Sequence, residues 1–143
     1  MIDKILKFYE EYKLYMDLQD NVLPNLIPIL ENDNIIDTLA HINFDEITLE
    51  TANLYYCSKL FNQSEQFQKA KLFHEFTHIL DYINLCKCYN EEDLDLILST
   101  YSEYHASQIE LACNVGFRNI HAFHKINLDK TYVETEAGKS KIQ

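Results

Sequence analysis

Residues 64–85 read SEQFQKAKLFHEFTHILDYINL, and this stretch decides the fold. Phe67, Ala70, Phe73, Phe76, Thr77 and Leu80 recur at intervals of three and four, and neither Gly nor Pro interrupts up to Asn84. Such spacing predicts an α-helix. Ser64 can cap its N-terminus, and Glu65 suits the first turn. Downstream, residues 85–90 read as a loop. A second helix is expected from about Glu91, with three acids in its first turn, to about Val115, and Gly116 is placed to end it. Upstream, Ile2, Ile5, Leu6, Tyr9, Tyr12, Leu14, Tyr15 and Leu18 are spaced as on a helix over residues 2–19. Residues 21–34 hold Pro24 and Pro28 and read as an extended connection. The runs INF at 42–44, ITL at 47–49 and NLYY at 53–56 are β-compatible and predict two or three short strands. The expected architecture is α+β and predominantly helical, in one domain spanning 1–143. Residues 1–63 supply a helix and short strands, 64–116 two packed helices, and 117–143 a weakly patterned C-terminal arm.

Composition narrows the functional classes. The 143 residues are 47 % apolar and 24 % charged, with 2 Gly and 2 Pro, which is globular and excludes collagen-like or low-complexity chains. No apolar run nears the roughly 18 residues of a membrane span. The N-terminus MIDKILKFYEEYK lacks the uncharged core of a signal peptide, so a cytoplasmic location is expected. The net charge is −11, a poor basis for direct contact with nucleic acid. Residues 1–117 carry 7 bases and 20 acids, whereas 118–143 carry 5 bases and 3 acids. Between Phe73 and Gly116 the one base is Lys87, so this region can attract a cation or a basic partner, or simply aid solubility. Cys57, Cys86, Cys88 and Cys113 form no C-x2-C pair and are expected to be structural or free thiols.

The chemistry concentrates in His74-Glu75-Phe76-Thr77-His78. Two histidines at i and i+4 project from one helix face, so both imidazoles can reach one ion. Zn²⁺ suits imidazole nitrogen and, in catalytic sites, takes three protein ligands and a water. Glu75 is placed to act as general base toward that water. Asp81 lies on the same face as His74 and His78 and can orient a ligand imidazole from behind. The HExxHxxGxxH spacing is absent, so the third ligand must come from elsewhere. The segment YSEYHASQIE at 101–110 offers Glu103 and His105, with Glu110 a further candidate. Glu103 and His105 lie about 200° apart around a regular helix, so they do not easily face one ion together. Ser99, Ala106 and Cys113 share the Glu103 face and would allow close helix approach, which favours Glu103. Leu98, Tyr101 and Ala112 make the His105 face an ordinary core stripe.

HEFTH followed by YSEYHASQIELA resembles the ImmA/IrrE-type metallopeptidases of bacteria and their mobile elements, in which an HExxH helix is followed by a helix bearing E-x-x-A. The resemblance covers about residues 67–115 and implies His74, His78 and Glu103 as zinc ligands and Glu75 as base. It further implies a small zincin-like α+β fold with a sheet beside the active-site helix. The family's known substrates include helix-turn-helix repressors. Thr77 stands where the family usually has a small residue, and LACNV at 111–115 replaces its usual apolar stretch and Pro.

A hydrolase of this kind also needs a group for the oxyanion. Tyr101, Tyr104 and His105 lie near Glu103 and are the candidates. His121 and His124 in HAFHK read as surface residues, and His41 stands alone. The leading expectation is a zinc-dependent endopeptidase acting on a specific protein, such as a basic DNA-binding regulator. The alternative is a catalytically weak or inactive protein on the same scaffold that binds a regulatory partner.

Overall fold

Ser64 starts helix α2 (Glu65–Leu85) as its position predicts, its Oγ accepting from the Phe67 N–H at 3.2 Å. The computed structural model describes residues 1–32 and 38–124, with the backbone of 132–135 and 138–141. Within α2 every residue from 72 to 81 is buried, polar and apolar alike. A helix enclosed on all sides needs several partners. The chain wraps α2 with a second helix, a sheet and a third helix. The result is α+β, about 58 % helical among the described residues, with a three-stranded mixed sheet. No helix among the described residues is long and apolar enough to cross a membrane.

Helix α1 (Ile2–Tyr15) lays Ile5, Phe8, Tyr9, Tyr12 and Tyr15 into the core. Tyr9 meets Phe76 edge-on at 4.9 Å, and Tyr12 and Tyr15 each meet Phe73 at 5.2 Å. The helix ends short of the expected residue 19. Asp17 takes a left-handed φ of 56°, and the Leu18 N–H turns back to the Lys13 carbonyl, closing the end as a Schellman-type cap. The Thr77 side chain points at α1. Its hydroxyl donates to the Phe73 carbonyl at 2.8 Å and accepts from the buried Tyr12 hydroxyl at 2.9 Å.

The stretch expected to be an extended connection contains strand β1 (Asn25–Leu30). It pairs in parallel with β3 (Thr51–Tyr56), and β2 (Ala40–Ile47) pairs antiparallel on the other side, giving the order β1-β3-β2. Pro28 is tolerated because β1 is an edge strand. The run at 47–49 is no strand of its own. Ile47 ends β2, and Thr48 turns the chain by accepting the N–H groups of Glu50 and Thr51. β3 alternates cleanly, with Ala52, Leu54 and Tyr56 inward. The register between β2 and β3 shifts between Ile42 and Ile47, so β2 is irregular where it passes α2.

The second long helix is not one regular helix. It comprises α3 (Glu91–Ile97), capped by Asn90, a π-helical turn (Leu98–Ser102) and α4 (Glu103–Asn114). Gly116, at φ +88°, ends it as expected, with the Phe117 N–H bonded to the Ala112 carbonyl. The arm begins with a short helix, α5 (Ile120–His124), whose Ile120 joins the core, and a backbone hairpin pairs β4 (Tyr132–Thr135) with β5 (Gly138–Lys141). All four cysteines are free, Cys57 and Cys113 buried and Cys88 exposed.

The α1–α2 contact yields a stability test. Tyr12→Phe leaves the Thr77 hydroxyl without its donor and should lower the unfolding free energy by ~1 kcal/mol. Phe73→Ala should cost ~3–5 kcal/mol. Urea denaturation followed by circular dichroism measures both.

Candidate metal centre

Two turns of α2 carry His74, Glu75 and His78, all buried, against an open cavity of about 310 Å³ whose opposite wall is β2. The rings of His74 and His78 are 5.0 Å apart, and Phe44 from β2 packs edge-on to His78 at 5.5 Å. Glu103, the first residue of α4, reaches across to both rings. Its Oε1 lies 3.1 Å from His74 Nε2 and its Oε2 lies 3.2 Å from His78 Nε2. A four-coordinate ion with bonds of about 2.0–2.1 Å holds its donors roughly 3.3 Å apart. Glu103 stands at nearly that spacing from each ring, and the ligand atoms of His74, His78 and Glu103 lie within 4.8 Å of one another, so the three form a group that could hold a metal ion.

Behind the rings the structure differs from the sequence reading. Asp81 does not touch His78. Instead Ser102 stands between them: its Oγ is 2.8 Å from His78 Nδ1 and donates to Asp81 Oδ2 at 2.8 Å. His105 contacts the other Asp81 oxygen at 2.8 Å. Behind His74, Glu110 approaches Nδ1 to 2.8 Å but off the hydrogen-bonding line, leaving that buried nitrogen without a bonded partner. Glu110, weighed as a third ligand, therefore sits behind a ring and not with Glu103 at the Nε2 atoms.

The phase of α4 explains the arrangement. Ser102, the last residue of the π turn, and Ala106, Ile109 and Cys113 of α4 form the buried line facing α2, and Gln66 of α2 donates to the Cys113 carbonyl at 2.6 Å. Glu103 is about 100° to one side of Ser102, and His105 about 60° to the other. The two faces that competed in the sequence are thus the two flanks of one seam. One flank supplies a carboxylate to the imidazoles and the other a ring to Asp81. Ser102 is small enough to occupy the middle and polar enough to bond both ways.

Glu75 turns into the cavity. Lys71 Nζ is 3.4 Å from its Oε1, and the Ile42 backbone N–H on β2 donates to it. Burial outweighs both and pushes the Glu75 carboxyl up to about 7, with Glu103 adding a small push in the same direction. Burial, and then the neighbouring His74, lower the pKa of His78, which keeps its ring neutral and able to bind an ion.

Compared with family models, curated proteins and solved structures, the chain matches none. Tyr101 is 49 % exposed and stacks on His105, while Tyr104 is 64 % exposed and bonds Gln108. Neither lines the cavity, and His105 is engaged with Asp81. His121 pairs with Asp17 at the surface. His41, read as isolated, stacks on Tyr55 and lies 3.3 Å from Glu31. Sequence reasoning missed Ser102 and Lys71. Lys71 stands four residues before Glu75, a spacing that was legible.

Two outcomes follow. Ser102→Ala removes the group that orients His78 and should weaken divalent-metal affinity by roughly 10- to 100-fold, read by competition with a chromophoric chelator. In the ion-free chain, the raised Glu75 binds a proton in the fold between its ordinary 4.5 and about 7. Its stabilising contribution is full below pH 4.5 and is lost as pH rises through 7. The lowered His78 acts oppositely, favouring the fold above its ordinary 6.5 and losing that contribution as pH falls. Glu75→Gln in chelator should therefore be more stable than wild type at pH 8, with the gain gone near pH 4.5. Urea midpoints at the two pH values measure this.

Proposed function

We propose that the protein is a zinc-dependent endopeptidase of the ImmA/IrrE kind that cleaves a specific protein, with His74, His78 and Glu103 as zinc ligands and Glu75 as base. The observation that carries the reading is the approach of Glu103 to both Nε2 atoms from a separate helix, beside a buried carboxylate that opens onto the same cavity. Two imidazoles and one carboxylate suit Zn²⁺ and leave a fourth position for reactants. The bound ion would supply Lewis acidity toward a peptide carbonyl and ease proton loss from water.

The remaining work falls to the chain's own groups. Glu75 holds the abstracted proton on its carboxylate and can return it to the leaving amine. The Ile42 N–H and Lys71 fix that carboxylate at the cavity wall. Ser102 and Asp81 hold the His78 ring in one orientation. β2 is an edge strand in its sheet, and Ala40, Ile42 and Phe44 border the cavity. An extended peptide can add to such an edge through main-chain hydrogen bonds, its scissile bond beside the histidines. The acidic surface of α3, with Glu91, Glu92, Asp93 and Asp95, supports a substrate that is basic overall, such as a DNA-binding regulator in the cytoplasm.

The hold of Lys71 on Glu75 favours a second reading, in which the same scaffold binds a regulatory partner without cutting it. Elemental analysis and cleavage assays separate the two. Purified wild type and Glu75→Gln should each carry one zinc, and His74→Ala and Glu103→Ala should lose it. Cleavage by wild type that falls at least about 100-fold in Glu75→Gln supports the enzyme. Retained biological activity in Glu75→Gln supports the binder, and a wild type without stoichiometric metal defeats the enzyme.

A further inference from the structure

Lys71 is the one Lys or Arg among the described residues lining the cavity. It sits on α2 one turn before His74, mostly buried, with its ammonium 3.4 Å from Glu75 Oε1. An ammonium has three N–H donors, and a single carboxylate oxygen does not satisfy them. The wall around it has the opposite sign: Glu75 and Glu103 line the same cavity, and Lys87 is the one base between Phe73 and Gly116. A cation with donors to spare and an opening in front of it is a recognition element for an anion.

Its position says where that anion belongs. The midpoint of His74 and His78 lies five residues farther along α2, about 7.5 Å at 1.5 Å per residue. An extended peptide advances about 3.3 Å per residue. The Lys71 side chain reaches forward to Glu75 and shortens that offset, so a carbonyl held at the histidines brings a group one or two residues away over its ammonium. This offset suits a neighbouring substituent of the substrate better than the oxygen of the reacting carbonyl.

We infer that Lys71 is a specificity-determining residue: the site takes peptides that carry a carboxylate within two residues of the bond presented to His74 and His78. The carboxylate is that of an Asp or Glu side chain; a preference for a free C-terminus would instead mark a site that trims chain ends. The inference rests on the metallopeptidase reading and extends it to substrate choice. It is compatible with a substrate that is basic elsewhere, since the acidic residues of α3 and the cation of the cavity act on different parts of it.

Ligand binding tests this without catalysis. The chain is loaded with Co²⁺, whose visible spectrum reports both the ion and its ligands. It is then titrated with three peptide hydroxamates that differ only in carrying Asn, carrying Asp, or ending in a free carboxylate in place of an amide. Wild type should bind the Asp form about tenfold more tightly than the neutral form. A preference for the free C-terminal carboxylate over Asp overturns the assignment to a side chain. Lys71→Arg should keep the preference, Lys71→Gln should bring it within about twofold of none, and Lys71→Glu should reverse it. An unchanged Co²⁺ spectrum before ligand is added shows that the site is intact in each variant. Equal binding of all three ligands by wild type, or a preference that survives in Lys71→Gln, overturns the inference and leaves the metallopeptidase reading standing. Failure of wild type to bind Co²⁺ removes both.

Discussion

Polar side chains enclosed within an apolar helix must find polar partners from other elements, and α2 carries His74, Glu75, His78 and Asp81 in this condition. The arrangement around α2 answers that requirement. Glu103 meets the two Nε2 atoms, Ser102 and His105 meet Asp81, and Lys71 and the edge of β2 meet Glu75. None of these partners lies on α2 except Lys71. The packing of α4 and β2 against α2 is therefore also the completion of the site.

The contrast between the two sides of α2 is instructive. Toward α1 the contacts are aromatic, edge-on, with one hydroxyl pair between Tyr12 and Thr77. Toward α4 and β2 they are charged or hydrogen-bonded and open onto a cavity. One face gives the helix a rigid backing, and the other carries the chemistry. Glu75 shows the result electrostatically: burial moves its carboxyl to about 7, into the range where a base can change hands with a proton.

Much of this was legible because it is local. The cap at Ser64, the three-and-four spacing of α2 and the stop at Gly116 depend on neighbours a few residues away, and each is found where the residues indicate. The grouping of His74 and His78 follows from helix geometry alone. The sheet was less legible. β1 joins β3 only through pairing across 26 residues, and Pro28 disguised a strand that tolerates it by lying at an edge. Ser102 was hidden for a different reason. The spacing of Glu103 and His105 tells which residues share a face, but not which line between faces will meet the partner. That phase is set when α4 docks on α2, with small Ala106 and Cys113 at the seam.

The π-helical turn at Leu98–Ser102 places a wider loop of backbone immediately before the residues that matter most. A π turn holds about one residue more than an α turn, so it shifts the angular setting of everything after it. Removing a single residue there would regularise the helix, yet swing Glu103 through about a quarter-turn relative to α3. The rod from Glu91 to Asn114 is thus two separately phased pieces. The acidic segment facing solvent and the segment facing α2 can each change sequence without dictating the rotation of the other.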